Sequence, residues 1–311
     1  MSYSPAFLKS DIVPFPTLNE NQRNSFNEEN LDVNDYLLSY DNFSLLHNPF
    51  RKFPFYTATN IDGKLIKEIK RKELFDGNGD KWTKDSRIPD NHQFGTELYS
   101  AEKSDFDRGH MTKREDVQWG IDIESAKKAA ESTFFYTNAI PQHKKLNRGI
   151  WLKLENYILH HETISKNLKI ILFTGPVLRN QDPEFVTPIN GMPIKLPTLF
   201  WKVIYYENSE NELMRVSFIT NQQDILEKNR VIKPIIVRTV DRLPEKSQHN
   251  FQKFKAAETY QTDVSLIESL TNLTFHKAIE IFKEKRPVRL IEQSTNVRGL
   301  TDTVIIKNIT L

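Results

Sequence analysis

Three short stretches carry residue types that do chemistry together. They are Asp107-Arg108-Gly109-His110 within FDRGHMTKR, Asn138 within TFFYTNAI, and Asn147 followed by Glu155 in NRGIWLKLE. A neutral imidazole titrates near operating pH, so His110 suits the task of taking a proton from water. An asparagine carbonyl is a hard oxygen donor, so Asn147 suits a hard divalent cation, with much of the coordination shell left to water and phosphate. Phosphodiester hydrolysis needs those functions together with charge compensation at the phosphate and the leaving oxygen. One His and one Asn on facing elements would therefore make a minimal metal-assisted hydrolase. At roughly 1.5 Å per residue, Glu155 lies about 12 Å farther along a helix than Asn147. That separation argues against both side chains reaching one ion, and favours a role for Glu155 in holding water of the metal's shell.

Taken singly, each residue also has a plainer reading. His110 can be a structural histidine at a strand end, and Asn138 can make the turn before Ile140-Pro141. Asn147 can cap a helix, and Glu155 can belong to a surface ion pair. The elements that must position them decide between the readings. FDRGH reads as a strand, TFFYTNAI has strand composition and is broken by Pro141, and a helix is predicted from about Asn147. In that helix Ile150, Trp151, Leu154, Ile158 and Leu159 recur at helical spacing. Trp151 and Leu154 share the face of Asn147 and should anchor the helix to a sheet.

Elsewhere YDNFSLLHN, FPFYTATNIDG, LKIILFTGPVL, LPTLFWKVIYYE and LMRVSFITN are predicted strands or strand-rich segments. DIESAKKAAE predicts a helix with Asp122 or Ser125 near its cap. DVSLIESLTNLTF predicts a short helix ending in a turn at Asn272, and TVIIKNITL alternates like a strand. Residues 76–95 read as a long surface loop. Residues 1–35, polar and interrupted by Pro5, Pro14 and Pro16, read as an extended or loosely docked arm ahead of a domain over 36–311. The expected class is α+β with a mixed or antiparallel central sheet.

A chain of 311 residues can bury a substantial core. With no cysteine, a disulfide framework, a zinc finger and a thiol nucleophile are excluded. The first twenty residues lack an unbroken apolar stretch, and no run approaches the roughly 18 apolar residues of a membrane helix. The expectation is a cytoplasmic protein without a membrane partner. A net charge of +2 does not announce a nucleic-acid binder. Two local basic runs stand out: Lys67, Lys70, Arg71 and Lys72, and His143, Lys144, Lys145 and Arg148. Alone, each reads as a solvated face. The second gains from its neighbours and offers Lys144 and Arg148 as substrate contacts.

FDRGHMTKRED followed by TFFYTNAIPQHKKLNRGIWLKLE resembles the signature of the DNA/RNA non-specific endonuclease family, within the ββα-metal (His-Me finger) nucleases. YDNFSLLHN, FPFYTATNIDG, LFTGPVL, LPTLFWKVIYY and DVSLIESLTNLTF extend the resemblance over roughly Leu38 to Phe275. It implies a ββα-metal finger active site with His110 as general base, Asn147 as metal ligand and Glu155 organising water on the metal. It also implies that Asn138 supports the base and that Arg108 lies near substrate phosphate, with Asp107 fixing the local loop. Mg²⁺, with Mn²⁺ able to substitute, is the implied cofactor. DNA and RNA are the implied substrates, cut to leave 5′-phosphate ends, and a homodimer is the implied assembly. One departure is visible: many relatives place an arginine just before the aromatic residue of the upstream loop, whereas Trp82 here follows Asp80-Lys81. Lys81 or Arg87 would have to substitute.

Two rival readings differ in class. One is a catalytically silent nucleic-acid-binding module, which the intact His110, Asn147 and Glu155 argue against. The other is a metallophosphatase, whose usual several Asp and His ligands for two metals are not found in the sequence. A non-specific nuclease also needs restraint. Either the acids Glu20, Glu28, Glu29, Asp32 and Asp35 of the arm lie against Lys144, Lys145 and Arg148, or a separate inhibitor or activator protein supplies it.

Overall fold

Alternation of side chains along the strands determines the layering. In the Lys169–Pro176 strand, Ile171 and Phe173 enter one apolar cluster while Ile170 and Leu172 enter another. The Leu199–Glu207 strand repeats the pattern, with Trp201, Val203 and Tyr205 on one side and Phe200 and Ile204 on the other. Successive strand residues point to opposite faces, so such a sheet must be covered on both. The computed structural model describes residues 2–233, 259–284, 286–294 and 304–307. Its main sheet has nine strands. Eight follow the order Val288–Arg289, Thr259–Thr262, Leu213–Asn221, Leu199–Glu207, Lys169–Pro176, Phe53–Asp62, Phe43–Asn48, Leu37–Ser39, each pair antiparallel. The ninth, Ile279–Glu280, lies parallel to Met214 and Arg215. The sheet is thus mixed and mostly antiparallel, and the α+β class holds.

The first face is covered by the Val264–Thr271 helix and, contrary to the expectation of a loosely docked arm, by residues 2–35. Tyr3, Leu8, Val13, Leu18 and Phe26 are all buried in the same cluster as Phe173 and Trp201. Thr17–Leu18 pairs with Leu273–Thr274, and Glu20–Glu28 forms a helix closed by an Asn19/Gln22 capping box. Phe26 of that helix packs 5.6 Å from Tyr36 and 6.4 Å from Phe55. The segment looks polar because its apolar anchors are single residues, the first four of them five positions apart, a spacing that matches neither a helical nor a strand period. One smaller expectation holds nearby: the Val264–Thr271 helix, capped by Asp263 at Leu266 N, ends at Asn272 in the left-handed region at φ 57°.

The second face carries the finger. A helical path runs from Lys144 to Ile164, kinked at Gly149, whose φ of −108° and ψ of −117° are not helical, and it includes wider i→i+5 turns at Asn147–Trp151 and Tyr157–Ile164. Such wide turns occur often at functional sites. Trp151, Leu154, Ile158 and Leu159 are buried as their spacing predicts. Leu154, Ile158 and Leu159 meet Ile61, Ile170, Leu172 and Ile204 of the sheet. The predicted Asp122 cap is present on the Ile123–Ser132 helix, accepting from Ser125 N at 2.8 Å. Of TVIIKNITL, Val304–Lys307 is a strand paired with Ile291–Ser294; the remainder lies outside the described residues.

Candidate active site

The Phe106–His110 strand pairs with Ala139–His143 in a two-stranded antiparallel ribbon, His110 opposite Ala139 and Arg108 opposite Pro141. The strand expected to end at Pro141 instead runs through it, and Tyr136–Asn138 forms a 3-10 turn ahead of it. A ribbon of two strands leaves each an outer edge, where the missing proline N–H needs no partner. Gly109 is required by a close approach: a Cβ there would come 2.3–2.7 Å from the Gln142 side chain. The helix follows the ribbon directly, capped by His143 Nδ1 accepting from Lys145 N at 3.1 Å. Asn147 therefore does not cap it.

Ribbon and helix enclose a cavity of about 730 Å³, lined by Asp107, Arg108, His110, Asn147, Arg148 and Glu155. Arg71, Asp80, Trp82, Tyr99, Lys113, Arg114, Glu115, Phe134 and His160 complete much of its wall. Asn138 does not line it. Its Oδ1 accepts from Thr112 N at 2.9 Å, and its Nδ2 donates to Thr112 O at 3.0 Å and Thr133 O at 2.9 Å. It thus fastens the chain just beyond His110 to the neighbouring segment. Lys144 is also outside the lining, paired with Asp105 at 2.7 Å.

The His110 ring lies 4.7 Å from Trp82 and 5.0 Å from Phe134, and its Nε2 has no hydrogen-bond partner. Burial in this aromatic wall, reinforced by the positive charge of Arg71 and Arg114 and only partly opposed by Asp80, lowers its pKa to about 3. The imidazole is neutral at neutral pH. Arg108 sits over the rings of Tyr99, Tyr136 and Trp82 at 5.5, 5.8 and 5.9 Å, with no carboxylate partner among the described residues. Its Nε is likewise a buried donor without an acceptor.

Asp107 organises the opposite wall. Asn147 Nδ2 donates to its Oδ2 at 3.0 Å, and Arg148 donates to both oxygens at 2.8 and 2.6 Å. Burial acts to raise the Asp107 carboxyl, and these hydrogen bonds more than offset it, holding it below the usual range. An ionised carboxylate accepts only, so the Asn147 amide must turn its nitrogen to Asp107, which leaves Oδ1 as its uncommitted acceptor. Deeper in, Glu155 lies 3.4 Å from the fully buried ammonium of Lys202. This is an ion pair by distance without hydrogen-bond geometry, and Glu155 Oε1 keeps an unused acceptor position. Lys202 also donates to Thr174 Oγ1 at 3.2 Å and stands 4.5 Å over the Trp151 ring. Beside it Asp116 is buried, and burial raises its pKa to about 7 against the pull of Lys202 and Lys113.

Sequence reasoning missed Lys202, Asp116, Arg71 and Arg114 as parts of this neighbourhood. Lys202 shows only as a polar residue inside LPTLFWKVIYYE, on the strand face shared by Phe200 and Ile204. Arg87, a suggested substitute for the upstream arginine, is bound to Asp85 and the Ser39 carbonyl and covers Tyr40. Neither Arg87 nor Lys81 lines the cavity.

A strand–strand–helix finger docked on the sheet thus places a neutral histidine and an uncommitted asparagine carbonyl across one cavity. The chain belongs to the DNA/RNA non-specific endonuclease family, whose model matches residues 21–280. The match begins within the stretch expected to be a separate arm. Among curated proteins, it is 38% identical to an uncharacterised protein, y4fB, of Sinorhizobium fredii over 71% of this chain and 32% of that one. It is 26% identical to the mitochondrial nuclease EXOG of Danio rerio over 53% of this chain and 46% of that one. It is 27% identical to human mitochondrial endonuclease G over 48% of this chain and 50% of that one. The matches thus span half or less of these relatives' own length. A solved complex of EndoG with EndoGI shares the fold, with a TM-score of 0.53 and 19% identity over 78% of this chain and 85% of that one.

Proposed function

We propose that the chain is an endonuclease that hydrolyses phosphodiester bonds of DNA and RNA without regard to sequence, leaving 5′-phosphate ends. The observation that carries this reading is His110, neutral and fixed between Trp82 and Phe134 on the wall of an open polar cavity. A neutral imidazole can take a proton from an attacking water; the depressed pKa keeps it unprotonated under mildly acidic conditions and at the same time lowers its strength as a base. Asn138 holds the chain after His110 in place and is a positioning residue. Arg108, with no carboxylate among the described residues to neutralise it, is suited to meet a substrate phosphate. Arg148 reaches the cavity from the opposite wall, and Lys144 lies just outside the lining.

The site accommodates a divalent cation by its donor chemistry: Asn147 Oδ1 is uncommitted, and Glu155 has an unused oxygen. Among the described residues no group of three His, Cys, Asp or Glu is placed to hold a metal, so a hard cation here would rely on Asn147 and on water that Glu155 orders. Mg²⁺, or Mn²⁺ in its place, would supply charge compensation at the phosphate and the leaving oxygen. In this reading EDTA abolishes cleavage and Mg²⁺ restores it.

Among the described residues no base-reading element is identifiable, so cleavage should be tolerant of sequence and sugar, and should weaken with salt. The test is digestion of plasmid, single-stranded DNA and RNA with Mg²⁺, with Mn²⁺ and with EDTA, with end-group analysis of the products. A defined cut site, 3′-phosphate ends or full activity in EDTA would overturn the reading. Restraint by a separate inhibitor protein belongs to the same proposal, supported by the EndoG/EndoGI complex described as a mechanism of EndoG inhibition. Autoinhibition by the N-terminal acids lacks support: Lys144 and Arg148 already pair with Asp105 and Asp107 of the finger itself. The homodimer rests on family resemblance and is read by light scattering.

A further inference from the structure

Arg71 lines the cavity on the His110 side, its guanidinium 5.8 Å over the ring of Phe134 that also packs against His110. It is already occupied. Nε donates to Asp80 Oδ1 at 2.9 Å, and Nη2 donates to Asp80 Oδ2 in a short contact, so both carboxylate oxygens are engaged in a fork. A guanidinium presents the same fork to the oxygens of a phosphate, and a phosphodiester carries the same single negative charge as the carboxylate. The pair stands at the solvent side of the cavity, with the Arg71 side chain 60% exposed and that of Asp80 30% exposed. Hydrogen bonding to Arg71 holds the Asp80 carboxyl below its usual range, so it remains ionised. The connection between them is wound unusually tightly. Phe75, Asp76, Gly77 and Gly79 have φ of 51°, 55°, 78° and 76°, and two of these four are not glycine. The loop spends conformational freedom to bring Asp80 back onto Arg71.

We propose that Arg71 is a phosphate-binding residue of this site and that Asp80 acts as a built-in stand-in for the phosphate, which nucleic acid must displace to bind. This rests on the nuclease reading above and goes beyond it by assigning both the contact and its restraint. Displacement makes the apparent affinity that of the open form reduced by its population, so removing the carboxylate should tighten binding through Arg71 alone.

The test uses the full chain and its Asp80→Asn, Arg71→Gln and doubly substituted variants. Binding of a fluorescein-labelled single-stranded oligonucleotide is followed by anisotropy in EDTA over a range of salt, and cleavage is followed separately with Mg²⁺. Asp80→Asn should tighten binding several-fold and lower KM. Arg71→Gln should weaken binding and reduce the slope of log affinity against log salt by about 0.7, one single-strand phosphate contact. The double variant should match Arg71→Gln. Weaker binding in Asp80→Asn would mean that Asp80 merely holds Arg71 in place and would overturn the proposal. So would a gain that persists without Arg71, or no change in Arg71→Gln. Asp80→Ser gives the same readings if circular dichroism shows the asparagine variant unfolded. A parent chain that neither binds nor cuts nucleic acid would instead overturn the nuclease reading itself.

Discussion

On one wall of the cavity, His110 and Arg108 are surrounded by Trp82, Phe134, Tyr99 and Tyr136, and each keeps a buried nitrogen without a partner. On the other, Asp107 receives hydrogen bonds from Asn147 and Arg148, and Glu155 lies against Lys202. The first wall changes the chemistry of its residues by withholding water, so imidazole is neutral and guanidinium uncompensated. The second fixes the orientation of its residues by answering each charge with another. A buried polar group without a partner is costly, and the aromatic wall holds two of them beside the candidate base, where such a cost has a use.

The comparison breaks most completely at His110. His110→Ala should lower kcat by about 10²–10⁴-fold, the usual contribution of a general base, while near-UV circular dichroism and metal binding stay close to the parent. Activity within a few-fold of the parent would remove the aromatic wall from the mechanism. On the opposite wall the largest effect is on stability. Lys202→Met leaves Glu155 buried without its cation and should cost about 3–5 kcal/mol, read by urea denaturation. Adding Glu155→Gln should recover part of the loss, and a double variant no better than the single would dissolve the pair. Asn147→Ala should weaken metal binding and turnover with partial rescue at high metal concentration. Glu155→Ala should be milder, within the roughly 10–100-fold range of outer-sphere partners. The reverse ranking in a metal titration would exchange the two roles.

Smaller effects sharpen the contrast. Since His110 is active when neutral and its pKa is lowered to about 3, kcat/KM should show no acid limb near pH 6.5. Trp82→Ala admits water to the ring and should move that limb upward. The same shift has a stability sign. The unfolded chain takes up the proton first, so His110's share of stability is present above pH 6.5 and is lost as pH falls toward about 3. An acid limb already near 6.5 in the parent would contradict a dry wall. Arg148→Ala is the mildest change: its side chain is 71% exposed, so melting should fall little as Asp107 loses its cation, and the salt dependence of binding should become slightly shallower.

The finger was legible because its information is local. FDRGH, the helical spacing of Trp151, Leu154 and Ile158, the Asp122 cap and the Asn272 turn each depend on neighbours within a few residues. Lys202 was not legible, because alternation places a strand residue on one of two faces without saying whether that face meets water or another charge. Arg71 read as part of a solvated run, since nothing in KRKELFDGNGD states that the chain turns back to set Asp80 against it. Pro141 read as the end of a strand because proline breaks central strands, whereas a two-stranded ribbon has room for it. The N-terminal stretch misled for a related reason. Five buried apolar residues, four of them five positions apart and so off both the helical and the strand period, look like linker among polar ones, although each fills a place in the core.

That last feature bears on how the molecule comes to be folded. Gln22 Nε2 donates to the carbonyl of Thr271 across 249 positions, and Asp11 meets His276 across 265. Thr17–Leu18 closes onto Leu273–Thr274 between them. On the ribosome the finger, whose helix ends at Ile164, emerges more than a hundred residues before the partners of this clasp. Phe26 can meet Tyr36 and Phe55 early, but the clasp itself cannot close until synthesis passes His276. Contacts so distant along the chain slow folding, so completion of the first sheet face should be the late event in refolding, and the finger's local contacts should be the early one.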